Sequence, residues 1–281
     1  MSDAANYLGA SNIWNHGANT GASTGTTITA PGSLNTKGAW TQIVASTTYP
    51  AAGIMLQINS EPGSGDCFWL ADVGIGGAGS EVVIVPNIIG GRLASTLGDS
   101  SHCYVPVQIP AGSRVAMRYQ VAVTAATPLT AQIIGFGDSG KFYPPPMALT
   151  DYGTVTASSK GTQVDPGGTA NTKGAYAQLV ASTTQTIRGL IVQILPDASY
   201  AAAPAHSLVD IAIGGAGSEQ VVIPNIMHNP TETSGSVIQA NNAPFYYPAS
   251  IPSGSRIAAR SQCDTNTAAN RKLTVSVIGC A

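Results

Sequence analysis

The sequence predicts an all-β chain made of two tandem homologous antiparallel β-sandwich domains, jelly-roll-like in form. Three observations carry this reading. Short apolar runs alternate with period two between turn signals, no segment holds a helical period over ten residues, and the chain repeats itself. Gly (32) and Pro (18) are plentiful, which suits short strands joined by many turns.

The repeat sets the organisation. NTKGAWTQIVASTT from Asn35 returns as NTKGAYAQLVASTT from Asn171, and GIMLQI from Gly53 returns as GLIVQI from Gly189. DVGIGGAGSEVVIVPNI from Asp72 returns as DIAIGGAGSEQVVIPNI from Asp210. YVPVQIPAGSRVAMRYQ from Tyr104 returns as YYPASIPSGSRIAARSQ from Tyr246, and IIGF from Ile133 as VIGC from Val277. The order never changes, and the spacing grows only in Gly/Pro/Ser-rich stretches. Two copies are too few for a solenoid. Each core spans about 105 residues, a normal sandwich size. The predicted layout is an N-terminal arm over 1–34, a first sandwich over 35–137, a linker over 138–170 and a second sandwich over 171–281. The linker contains YPPPM, whose consecutive prolines favour an extended spacer.

Within the first copy, Trp40–Thr47 is β-rich. Ile54, Leu56 and Ile58 share a core face opposite Met55 and Gln57. Trp69, Ala71, Val73 and Ile75 oppose Asp72 and Gly74. EVVIVP follows and is closed by Pro86. YVPVQIP leads into a turn over Pro110–Ser113. Val115, Met117 and Tyr119 then share one face against Arg114, Ala116 and Arg118, and LTAQIIG ends the copy. GIGGAGSE, from Gly74, matches the G-x-G-x-x-G spacing of a dinucleotide turn. That fingerprint needs a helix next. Here a β-branched run ending in proline follows, and the second copy has Ala212 in place of the first glycine. The stretch therefore predicts a hairpin whose glycines supply positive φ.

Composition narrows the function. The 281 residues carry 9% charge and a net charge of −2, with 43% hydrophobic residues. So little charge favours life inside an assembly. Without a Lys/Arg cluster no nucleic-acid partner is expected, and no apolar run reaches the roughly 20 residues of a membrane span. The N-terminus lacks a basic start and apolar stretch, so synthesis in the cytoplasm is expected.

Five charged positions recur: Lys37/Lys173, Asp72/Asp210, Glu81/Glu219, Arg114/Arg256 and Arg118/Arg260. Asp72, Arg114 and Arg118, with Asp210, Arg256 and Arg260, read as structural cross-strand ion pairs. The competing reading makes Asp72 and Glu81 an acid–base pair for glycoside hydrolysis. His16, His102, His206 and His228 do not recur and lack metal-ligand spacing, so no metal is expected. Cys67, Cys103, Cys263 and Cys280 occupy non-matching positions and read as free thiols, with Cys67–Cys103 and Cys263–Cys280 the pairings left open. No G-x-S-x-G elbow or phosphate loop occurs. The expectation is of no catalytic residues, no cofactor and no enzyme. Tyr7, Ile13 and Trp14 are the apolar anchors of an arm that docks on a partner. Phe245, Tyr246 and Tyr247 are the candidate platform for a sugar.

The pattern NTKGAW…VAST, DVGIGGAGSE and IPAGSRVAxR resembles β-sandwich domains of tailed-bacteriophage virion proteins, over both cores but not the arm or linker. The resemblance implies a surface accessory of the particle: a head decoration, a fibre, or a tail or baseplate component. Its partners would be other virion proteins of capsid or tail, in a homo-oligomer that analogy makes a trimer, assembled in the host cytoplasm. The alternative is an adhesin module that binds host-surface carbohydrate.

Overall fold

The computed structural model describes residues 13–17, 25–29, 31–60, 67–92, 99–122, 129–137, 147–153, 156–197, 206–228, 231–233, 237–239, 244–265 and 271–281. Among these the chain is all strand and turn, without a helix. The first sandwich uses β1 (Ile13–His16), β2 (Thr26–Ile28), β3 (Thr41–Val44), β4 (Gly53–Ser60), β5 (Cys67–Ile75), β6 (Val82–Arg92), β7 (Asp99–Val105), β8 (Val115–Val121) and β9 (Leu129–Phe136). The second uses β10 (Leu149–Tyr152), β11 (Thr162–Val164), β12 (Ala177–Val180), β13 (Ile187–Pro196), β14 (Ser207–Ile213) and β15 (Gln220–His228). A small hairpin, β16 (Thr231–Thr233) and β17 (Val237–Gln239), precedes β18 (Phe245–Ile251), β19 (Ile257–Cys263) and β20 (Leu273–Cys280).

Sheet order repeats between the copies. β1-β9-β4-β7, with β2 also on β9, faces β3-β8-β5-β6; β10-β20-β13-β18, with β11 also on β20, faces β12-β19-β14-β15. The ladders are antiparallel, and this order is that of a jelly roll. Alternation builds each core as expected. Ile54, Leu56 and Ile58 are buried in the first core, whereas Met55 and Gln57 stay half-buried on the opposite face. Leu190, Val192 and Ile194 do the same in the second.

Three expectations are corrected. Part of the predicted arm and part of the predicted linker are strands. β1 and β2 pair with β9, and β10 and β11 pair with β20, in matching registers. The polyproline run itself lies outside the described residues. Second, Trp14 is not an outward anchor: it belongs to the first core, with its indole over Gly135. Ile13, the next residue back, points away and is 44% exposed. Third, Pro86 does not end its strand. The register jumps from Ala71↔Ile88 to Val73↔Val85, so β6 bulges at Pro86–Asn87 and continues to Arg92. A bulged residue needs no ladder N–H, and this lets proline stay within the strand. Asn87 adopts φ 47° there and Asn225 adopts φ 53° in the second copy, a conformation that Asn tolerates.

The sandwiches share a junction. Strands β6 and β7, one edge of the first sandwich, lie against the outer face of β10-β20-β13-β18. Phe68, Leu70 and Ile89 of the first sandwich pack into the second core, and Ile191, Ile278 and Cys280 of the second pack into the first. Strand β20 is therefore buried on both faces along its whole length.

Close packing makes one glycine indispensable to the first core. A Cβ at Gly90 would collide with the Trp69 ring, and Trp69 is fully buried. Gly90→Ala should lower unfolding free energy by about 1–3 kcal/mol, read from urea denaturation; wild-type stability would show that the Trp69 site yields freely.

Candidate functional site

Each sandwich carries the same ion cluster on the outer face of its β3-β8-β5-β6 or β12-β19-β14-β15 sheet. Asp72 stands opposite the Pro86–Asn87 bulge and opposite Arg118 on β8. Its carboxylate accepts from Lys37 Nζ at 2.7 Å, Arg118 Nε at 3.0 Å and the Asn87 backbone N–H at 3.0 Å. Lys37 Nζ also donates to the Leu70 carbonyl at 3.0 Å. Arg118 lies 4.5 Å over the Trp40 ring, and Trp40 in turn covers Gly74. The second copy repeats the cluster: Asp210 accepts from Lys173 at 2.8 Å, Arg260 at 3.0 Å and Asn225 N–H at 2.9 Å, with Arg260 4.6 Å over Tyr176. Burial pushes the Asp210 carboxyl up. The hydrogen bonds from Lys173, Asn225 N–H and Arg260 outweigh that, so it sits below its ordinary value.

The GIGGAGSE stretch is a hairpin turn between β5 and β6, with Gly76 at φ 121° and Gly79 at φ 83°. Glu81 accepts from Arg114 Nη1 at 2.7 Å and from Gly79 N–H at 2.9 Å, folding the turn onto β8. Glu219, Arg256 and Gly217 do the same in the second copy. Arg114 and Arg256 thus pair with glutamates at the turn, while Arg118 and Arg260 pair with the aspartates. Each carboxylate is held by a cation and a backbone N–H, an arrangement that fixes strand ends.

The junction supplies a second constellation, one the sequence reading did not single out. Gln193 on β13 is only 1% exposed. Its Oε1 accepts from Ile89 N–H at 2.8 Å, and its Nε2 donates to the Asn87 carbonyl at 3.2 Å and to Ser276 Oγ at 3.2 Å. One side-chain amide so takes the place of a neighbouring strand along the edge of β6. Beside it, Asn87 Nδ2 donates to Asp151 Oδ2 at 2.6 Å. Lys160 sits 3.8 Å over the Phe68 ring, and the Ala157 N–H donates to Gln120 Oε1 at 3.2 Å. The groove at the rim of the junction is lined by Val83, Ile84, Val107, Gln108, Met147, Ala148 and Leu149, none of which titrates.

Other predicted residues are dispersed. Tyr7 lies outside the described residues. Phe245, Tyr246 and Tyr247 form no common platform, because strand alternation splits them. Tyr246 pairs with Ile191 and packs at the junction over Gly189. Tyr247 packs on the second core beside Leu190, and Phe245 is 57% exposed. Cys103, Cys263 and Cys280 are buried free thiols, so neither open pairing forms. Burial pushes the Cys280 thiol up to about 12. Among the described residues no group of three His, Cys, Asp or Glu could hold a metal. His228 is buried, its Nε2 has no hydrogen-bond partner among the described residues, and desolvation pushes its imidazole down to about 4.

No family model and no curated protein matches the chain. Solved structures do. PNGF-II matches with 6% identity and a TM-score of 0.43 over 98% of this chain and 67% of its own. N-glycanase F (PNGase F) matches with 12% identity and a TM-score of 0.40 over 96% of both chains. A second structure of PNGase F, a glycosylasparaginase from Flavobacterium meningosepticum, matches with 11% identity and a TM-score of 0.39 over 96% of both. The expectation that this chain is not an enzyme is corrected on this finding, since structures of an enzyme are among those it matches. At these scores the likeness is one of fold, and it transfers no substrate, reaction or catalytic residue.

Two outcomes test this geometry. Gln193→Ala would strip the Ile89 N–H and the Asn87 carbonyl of their buried partner. It should cost about 1–3 kcal/mol, seen as a lower urea midpoint and faster amide exchange along β6. His228 gives a pH signature. The unfolded chain takes up a proton below its ordinary value of 6.5, whereas the folded chain waits until about 4. Stability should be full above pH 6.5 and fall towards pH 4, by up to about 1.4 kcal/mol per pH unit. His228→Leu should flatten that slope; an unchanged slope in the variant would assign it elsewhere.

Proposed function

We propose that the chain is a structural component of a tailed-bacteriophage virion, a surface accessory of head, fibre or tail assembled in the host cytoplasm. The observation that carries this reading is where the charge goes. The recurring Lys, Asp, Glu and Arg residues are held in paired clusters within each sandwich. Apart from the exposed His102 on β7, opposite Gln57, the described outer face of β1-β9-β4-β7 carries uncharged side chains such as Met55, Gln57, Gln132 and Ile134, all half-buried. A neutral face of apolar and amide groups suits permanent packing against other protein surfaces. The resemblance of NTKGAW, DVGIGGAGSE and IPAGSRVAxR to virion β-sandwiches supports the same reading. Ile13, exposed beside that face, belongs to the attachment surface.

Mass spectrometry of purified virions of the encoding phage should find the chain in fixed copy number. Cryo-EM of those particles should show paired jelly rolls, and particles lacking the gene should lose that density. A chain abundant in lysate yet absent from particles would sink the proposal.

A further inference from the structure

The internal junction has an edge that docks and a face that receives, and the duplication leaves a second copy of each without a partner among the described residues. The docked edge is β6, and its counterpart in the second sandwich is β15. Both bulge at a Pro-Asn pair with Asn at positive φ. Ile89 of β6 is 1% exposed because the junction covers it. Its counterpart, Met227, is 74% exposed, more than any other large hydrophobic residue described. Phe245, on the neighbouring strand of the same edge, is 57% exposed.

The receiving face is β10-β20-β13-β18, and its counterpart is the outer face of β1-β9-β4-β7. Gln193 in the motif LIVQI corresponds to Gln57 in IMLQI, and Ile191 to Met55. Leu149 packs at the junction, whereas Ile13 in the same register position is 44% exposed. Asp151, which accepts from Asn87, corresponds to Asn15. Asn15 donates to Gln132 Oε1 at 3.1 Å, so its amide oxygen is the group placed to accept from Asn225.

We propose that the chain binds a second copy of itself head to tail, the β15 edge of one copy docking on the β1-β9-β4-β7 face of the next and repeating the junction between the sandwiches. Gln57 then accepts from the Met227 N–H and donates to the Asn225 carbonyl, as Gln193 does with Ile89 and Asn87. Met227 is covered as Ile89 is. An edge on one copy meeting a face on another is a heterologous contact, which propagates into a ring or a filament. It also closes the exposed edge of β15. This contact stands whether or not the chain is carried in a virion.

Sedimentation velocity and light scattering on the full chain, over about 1–1,000 µM where weak protein contacts fill, should show mass rising in steps of one chain. Met227→Lys on the edge and Gln57→Glu on the face should each weaken assembly about tenfold or more. Neither residue is fully buried in the single chain, so thermal unfolding should not change. The mixture is decisive. M227K keeps a working face and Q57E keeps a working edge, so together they should form a 1:1 dimer and nothing larger. A chain monomeric throughout the range, assemblies indifferent to both substitutions, or a mixture without dimer would each overturn the proposal.

Discussion

An open β edge carries backbone N–H and C=O groups that must find partners once they are buried. In this chain the amide of Gln193 answers that demand. It meets both the Ile89 N–H and the Asn87 carbonyl on β6, from a strand of the other sandwich. The apolar contacts around it, Phe68, Leu70 and Ile89 on one side and Ile191 and Ile278 on the other, gather where that edge is satisfied. Without the amide, the same burial would leave the Ile89 N–H and the Asn87 carbonyl without this partner. A single side chain therefore allows two sandwiches to share their cores.

The bulge at Pro86–Asn87 prepares that edge. It places the Asn87 carbonyl towards Gln193 and its N–H towards Asp72. Asp72 is in turn neutralised by Lys37 and Arg118. The ion cluster and the junction are thus linked through one residue in a left-handed conformation. The second copy keeps the cluster, with Asp210, Lys173, Arg260 and the Asn225 bulge, although the described residues form no second junction. Charge held this way stabilises the bulge locally, because each carboxylate oxygen has a cation or an N–H at hydrogen-bond distance.

The functional reading follows from what remains outside. Charged groups concentrate in paired clusters, the groove at the junction has no titratable lining, and exposed Ile13, Met227 and Phe245 stand on β1, β15 and β18. On the proposed reading, these properties suit packing against other proteins.

The sequence by itself determined the all-strand class, the duplication, the facing of β4, β5 and β8, and the hairpin at GIGGAGSE. The duplication rests on motifs that return in the same order along the chain, and the others rest on close neighbours: period-two alternation, glycines at a turn, and proline after a β-branched run. The repeat also extends further towards the N-terminus of each copy. Gly25-Thr26 and Gly161-Thr162 recur at the same spacing as the NTKGA motif, and they open β2 and β11 in the stretches read as arm and linker. Only the tertiary structure decided that Trp14 lies inward on Gly135, that Pro86 sits in a bulge, and that Tyr246 turns away from Phe245 and Tyr247. It alone distinguished Gln193 from Gln57, identical residues in matching motifs, one buried and the other half-buried. Alternation along a strand assigns a side chain to a face, but what covers that face is set by residues a hundred positions away.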